Sequence, residues 1–219
     1  MKLKSKVALL ITLILGLEVG FSFLIFQVQS SEDVSDELIV VLQTSMGNIT
    51  IQLREDMPIT VGNFKNLSLQ GVYDNTIFHR VIDGFMIQGG DPTGTGYGDP
   101  SIPYIQDEFT DDNRNNRGTI AMANTGFSNS GSSQFFINLV DNNYLDDAHP
   151  VFGEVIEGID VVDAIAKVDT DTGDKPIVDV SIINTQVIPE FPSWIILPIF
   201  LIGTLIAFSI GRKVNLKKG

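Results

Sequence analysis

Between Thr76 and Phe152 the apolar runs are short, and Gly- and Asn-rich stretches break them every few residues. A helix must bury a stripe that recurs every three to four residues over several turns, whereas a strand needs only a few alternating positions. Short runs punctuated by turn formers therefore restrict this stretch to a sandwich or barrel of short strands. The flanking segments agree. From Leu38 to Leu53 two β-rich runs lie on either side of Ser45-Met46-Gly47-Asn48, with Ile49, Ile51 and Leu53 alternating against polar neighbours, which predicts a hairpin. Pro58 opens a stretch in which Val61, Phe64 and Leu67 recur at helical spacing until Gly71, the pattern of a short amphipathic helix on a sheet. Val161, Val162 and Ile165 after Gly158 predict a second helix, and Ile177 to Ile188 a last strand. The fold class is mainly β with two helices.

Both ends have a different composition. Val7 to Val28 is almost continuously apolar behind Lys2, Lys4 and Lys6, with Glu18 its one charge, as in a secretory signal or membrane anchor. Trp194 to Ile210 is again apolar and is followed by Gly211-Arg212-Lys213 and a lysine-rich tail, as in a stop-transfer helix. Hydrophobic helices are thus expected at the N- and C-terminal ends. The expected organisation is a signal peptide or anchor over 1–30, a charged linker over 31–37, one folded domain over 38–188, and a sorting signal or transmembrane anchor with a basic tail over 189–219.

Charge sharpens this division. Seven of the 14 basic residues lie in the two tips, whereas the stretch from Ser31 to Glu190 holds the other seven with 26 of the 27 acidic residues, a net charge of −19. Basic tips around an acidic middle predict both tips on the cytoplasmic side of a membrane and the domain outside, at the cell surface. An acidic surface repels phosphate backbones, which argues against a nucleic-acid partner. The absence of cysteine removes disulfides, thiolate catalysis and Cys-based zinc sites.

Three stretches carry chemistry: Phe78-His79-Arg80-Val81-Ile82-Asp83-Gly84-Phe85-Met86-Ile87-Gln88-Gly89-Gly90-Asp91, Ala121-Met122-Ala123-Asn124, and Ser130-Gly131-Ser132-Ser133-Gln134-Phe135-Phe136-Ile137. They combine one arginine, several large apolar groups and amides able to hold the arginine, an unusual inventory for a hydrolase. These stretches closely resemble the signature blocks of the cyclophilin family. The likeness continues through Asp107-Glu108-Phe109, Leu145-Asp146-Asp147, His149 and Val151-Phe152-Gly153, and extends from about Leu38 to Ile188.

The resemblance implies a closed eight-stranded antiparallel β-barrel capped by two α-helices, with a groove on its outer face. It implies peptidyl-prolyl cis–trans isomerase activity on proline-containing polypeptides, without cofactor or metal, in a domain expected to act as a monomer. By the same resemblance Arg80 is the catalytic arginine, joined by Gln88 and Asn124. The amide of Gln88 can hold the guanidinium fork while another N–H points at substrate. Phe85, Met86, Phe136 and Leu145 correspond to the proline-ring pocket, Gln134 flanks the arginine and the peptide, and Ala123 with Asn124 resembles the segment that pairs with substrate backbone. His149 matches the pocket-edge histidine. Tyr144 stands where many members have tryptophan, which implies weaker inhibition by cyclosporin while still offering substrate a flat apolar wall.

A non-catalytic module or chaperone holding proline segments at a membrane surface is the competing reading, and the intact Arg80 favours the enzyme. His79 reads as a packing or hydrogen-bonding group. The run Asp169-Thr170-Asp171-Thr172-Gly173-Asp174 resembles the start of a calcium loop, but Asp179 stands where a bidentate glutamate is required, so it reads as a turn. Ahead of the second apolar run, Pro189-Glu190-Phe191-Pro192-Ser193-Trp194 resembles the PEF-type C-terminal sorting signals of archaeal surface proteins. That likeness implies removal of the tail and re-anchoring; a plain anchor with a proline-rich entry is the alternative.

Overall fold

Alternating burial along Leu38–Thr44 (β1) and Gly47–Leu53 (β2) folds the first two strands into the expected hairpin, with Val40, Leu42, Ile49 and Ile51 fully buried. The computed structural model describes residues 38–188. The expected signal or anchor, the sorting signal and both terminal hydrophobic helices fall outside these residues. Among the described residues no helix is long and apolar enough to cross a membrane.

The predicted first helix forms as α1 (Pro58–Leu69), burying Val61, Phe64 and Leu67 against the sheet. Its first turn has no side-chain cap of its own; the carboxylate of Glu108 accepts the N–H groups of Ile59 (3.1 Å) and Thr60 (3.0 Å) from a distant loop. Those donors lack intrahelical partners, and a negative charge there suits the helix dipole. Gly71, at φ 69°, ends the helix: its N–H donates to Ser68 and that of Val72 to Leu67, the paired bonds of a left-handed C-terminal cap.

The chain continues through β3 (Thr76–Ile77), β4 (Arg80–Ile82), β5 (Met86–Gly89), β6 (Thr119–Met122), β7 (Phe135–Asn138), β8 (Val151–Glu157), α2 (Ile159–Ile165) and β9 (Ser181–Ile188). All strands pair antiparallel in one sheet of order β3-β9-β1-β2-β8-β6-β7-β5-β4. This corrects the expected closed, eight-stranded barrel. The sheet has nine strands and curls so that its edges, β3 and β4, are consecutive in the chain. Beyond that covalent link, a single bridge between Ile77 and Asp91 spans the gap. The break falls at Phe78 and His79, which are both buried, so the in–out alternation of a regular strand cannot pass through them.

The last strand also begins later than expected, at Ser181 rather than Ile177. Ile177 and Val178 are 68% and 80% exposed and follow a loop closed by a bridge between Thr170 and Pro176. Proline cannot donate to a ladder, and exposed side chains give this segment nothing to bury. The Asp169–Asp174 run is a turn, with Asp171 N–H bonded to the Lys175 carbonyl at 2.8 Å.

Inside the curl, Phe64 packs against Tyr73, Phe135 and Phe152, with ring centroids 5.1 to 5.5 Å apart. The Tyr73 hydroxyl donates to the Ser133 carbonyl at 3.1 Å, and burial pushes its pKa well up.

Candidate active site

Four strands build the site through their register. Arg80 of β4 lies opposite Gln88 of β5, Gln88 opposite Phe136 of β7, and Phe136 opposite Ala121 of β6. Directly paired residues point to the same side of a sheet, so this row shares one face. One residue along, Val81, Ile87, Ile137 and Ile120 form a parallel row on the other face, buried in the main core. β7 is therefore buried at every position: Phe135 and Ile137 serve the core, while Phe136 serves a second apolar cluster with Met86, Ala121, Ala123 and Val151.

A cavity of about 300 Å³ opens over this cluster. Its lining brings together nine of the residues named from the sequence: Arg80, Gln88 and Asn124 with Phe85, Met86, Ala123, Phe136, Leu145 and His149. Gln134 instead lines a neighbouring cavity of about 550 Å³, which shares Gln88, Ala123 and Asn124 with the first. Tyr144, 73% exposed, is not among the lining residues; its ring stacks on Phe85 with centroids 6.3 Å apart and planes 19° from parallel. It extends the aromatic surface of Phe85 outside the lining of this cavity.

Each wall is fixed by its own contacts. Phe85 follows Gly84 (φ 71°) in the tight turn between β4 and β5, and its carbonyl accepts the Leu139 N–H at 2.9 Å and the Asn142 side chain at 2.9 Å. His149 meets Phe136 edge-on at 5.2 Å and 84°. Its Nδ1 lies 2.9 Å from the Met122 carbonyl, which makes that nitrogen the donor and leaves Nε2 without the proton in the neutral ring. Asn124 donates to the Ala148 carbonyl at 2.8 Å and accepts from the Gly126 N–H at 3.0 Å, so its side chain shapes the rim. Ala123 is tied through its N–H to the Gln134 carbonyl at 3.0 Å.

The expected clamp of Gln88 on Arg80 is not what the side chains do. Gln88 Nε2 donates to Gln134 Oε1 at 2.8 Å, and Gln134 Nε2 donates to the Gly96 carbonyl at 3.0 Å. Arg80 faces a different group, with its Nε 3.7 Å from the Asp174 carboxylate. Sequence reasoning placed Asp174 only in a turn and missed its approach to Arg80.

Behind the Arg80–Gln88 row, the loop after β5 folds around Asp91. That buried carboxylate accepts N–H groups from Thr93 (2.9 Å), Gly96 (2.7 Å) and Gly98 (3.2 Å). Burial opposes its charge, but these bonds prevail and hold its pKa below the usual carboxylate value. His79 lies beneath the same loop, with both ring nitrogens buried and unpartnered. Burial lowers its pKa although the charge of Asp91 opposes the shift.

The arrangement offers a guanidinium on the lining of a cavity with apolar walls and amides at its rim, and among the described lining residues there is no hydroxyl, thiol or amine nucleophile. The model of the family "Cyclophilin type peptidyl-prolyl cis-trans isomerase/CLD" matches residues 39–187. Peptidyl-prolyl cis-trans isomerase CYP18-2 of Arabidopsis thaliana is 43% identical over 153 residues, 68% of this chain and 93% of that protein. Peptidyl-prolyl cis-trans isomerase ppi1 of Schizosaccharomyces pombe is 46% identical over 149 residues, 66% of this chain and 96% of that protein. CYP71 of Arabidopsis thaliana is 48% identical over 152 residues, but the match spans 24% of that longer protein. Among solved structures, a cyclophilin-type isomerase of Cryptosporidium parvum superposes with a TM-score of 0.67 at 33% identity, covering 71% of this chain and 99% of its own. The same protein in the presence of the dipeptide Ala-Pro gives a TM-score of 0.66 at 34% identity, covering 69% and 99%. Matched from β1 to β9 by the family model, and to relatives over almost their full length, this chain belongs to the cyclophilin-type peptidyl-prolyl cis-trans isomerases.

Proposed function

We propose that the chain catalyses cis–trans rotation about X–Pro bonds, with Arg80 as the catalytic donor, and that it serves exported or cell-surface proteins from a membrane tether. The single observation that carries the reading is the position of Arg80 on the lining of a cavity whose other walls are Phe85, Met86, Phe136 and Leu145.

Rotation about an X–Pro bond faces a barrier of about 20 kcal/mol because the amide loses resonance when twisted. In the twisted state the prolyl nitrogen becomes pyramidal and basic. A guanidinium N–H donated to it favours that state over the planar one, and such differential binding is catalysis. The apolar walls grip the proline ring and exclude water, which strengthens the hydrogen bond. Ala123 and Asn124 hold the peptide backbone, Gln88 and Gln134 line its path, and His149 closes the edge. A relative solved in the presence of Ala-Pro supports a proline dipeptide as the minimal occupant.

The setting rests on the chain ends: apolar runs at Val7–Val28 and Trp194–Ile210, each with basic residues beyond it, and an acidic stretch between them. The PEF-like Pro189–Trp194 segment supports a processed, re-anchored C-terminus on an archaeal surface protein.

Exchange NMR on a proline peptide with the full chain in mild detergent tests the activity. Fast cis–trans exchange supports the enzyme; binding without exchange replaces it with a proline-binding module. Mass spectrometry of the mature termini, with protease accessibility in intact cells, tests the location, and an unprocessed chain shielded inside the cell contradicts it.

A further inference from the structure

The turn that follows α2 is built and fastened to hold one carboxylate beside Arg80. Asp171 organises it by accepting the N–H groups of Gly173 (2.8 Å) and Lys175 (3.0 Å). The turn is then pinned to the catalytic strand, since the Val81 N–H donates to the Asp174 carbonyl at 2.8 Å. Asp174 itself sits at φ 64°, a left-handed conformation that favours glycine, with its carboxylate 3.7 Å from Arg80 Nε. It is outside the lining of the cavity that Arg80 faces. Among the described residues it is the one acidic group paired with that arginine.

We propose that Asp174 is a positioning residue for the isomerase reaction: it engages the Nε edge of the Arg80 guanidinium from outside the cavity, turning the terminal nitrogens toward the prolyl amide. The proposal rests on the reading of Arg80 as the catalytic donor. The chemistry favours it in three ways. Gln88, the glutamine across the strand pairing, turns its amide N–H to Gln134 and makes no hydrogen bond to the arginine among the described residues. A long arginine side chain left unheld loses rotamer freedom when it meets substrate, and a partner that fixes the planar fork beforehand reduces that loss. Finally, the partner is an acid that touches only one edge, so the guanidinium keeps donors free for substrate. Both side chains are 44% to 45% exposed, which limits the effect to a modest one.

The test uses the full chain in mild detergent and reads kcat and KM by exchange NMR, together with the Arg80 Nε–H resonance. Asp174→Asn tolerates the left-handed backbone but removes the charge. It is expected to lower kcat about threefold to fivefold, the scale of an exposed ion pair, with KM little changed and the Nε–H line shifted. Asp174→Gly, which relieves the backbone, should lose kcat equally while keeping or raising stability. Asp174→Glu should recover part of kcat. If Arg80→Ala abolishes turnover while Asp174→Asn keeps full kcat and an unmoved Nε–H line, the positioning role is overturned and the catalytic reading stands. Full turnover in Arg80→Ala overturns both.

Discussion

Gln88 on β5 gives its side-chain amide to Gln134 just before β7, Nε2 to Oε1 at 2.8 Å, and Gln134 passes a second bond at 3.0 Å to the carbonyl of Gly96. This relay fastens the glycine-rich loop, where Gly94, Gly96 and Gly98 all have positive φ, to the strand paired with that of Arg80. Gln134→Ala leaves a half-buried amide and a loop carbonyl without partners. We expect a loss of about 1 kcal/mol in urea titrations and faster hydrogen exchange at the Gly96 amide. Unchanged exchange would show that Asp91 alone holds the loop.

Glu108 caps α1 from outside the helix. Replacing it by alanine removes the acceptor for two first-turn donors, and the expected cost is about 1 kcal/mol, as for loss of an N-terminal cap. Chemical denaturation of both chains measures it, and equal midpoints contradict the capping role.

Arg54 donates to Asp112 at 2.8 Å and to Asp56 at 2.8 Å. The bond from Arg54 holds the Asp112 carboxyl at about 2, below its ordinary 3.8. The folded form therefore binds its proton later than the unfolded chain, so the stabilisation is present above 3.8 and fades as pH falls toward 2. Carbon-detected NMR titration should give that low midpoint, and Arg54→Ala should return it toward the ordinary value. An Asp112 midpoint indifferent to Arg54 would show that the guanidinium is not its cause.

His79 titrates in the opposite sense to a paired histidine. Burial lowers its folded pKa below 6.5, with the charges of Arg80 and Lys175 acting in the same direction and Asp91 against them. The unfolded chain takes up the proton first, so stability is intact above 6.5 and falls as pH drops below it. Urea titrations at pH 8 and pH 5 should show a larger loss for the wild type than for His79→Gln. An equal loss means that other groups carry the acid sensitivity.

Local periodicity made some elements readable from the sequence and left others hidden. The β1–β2 hairpin and α1 declare themselves because Ile49, Ile51 and Leu53, then Val61, Phe64 and Leu67, repeat at the periods of strand and helix. The break between β3 and β4 does not, because burial of both Phe78 and His79 is decided by elements far away in the chain. Nor does the exposed Ile177-Val178 pair, which has strand-like composition and nothing to pack against. The cavity residues were legible as blocks resembling a family. The partners chosen by their polar groups were not: whether Gln88 meets Arg80 or Gln134, and whether Asp174 reaches Arg80, depends on ångström-scale distances between segments remote in sequence.

The most direct measurement compares Arg80→Ala with the wild type on one proline peptide, reading turnover by exchange NMR and affinity from chemical-shift titration. Removal of the donor to the twisted amide is expected to lower kcat about a hundredfold or more, while the apolar walls keep peptide affinity within a few-fold. Turnover undiminished in the variant would contradict the account, because rotation would then be proceeding without the guanidinium.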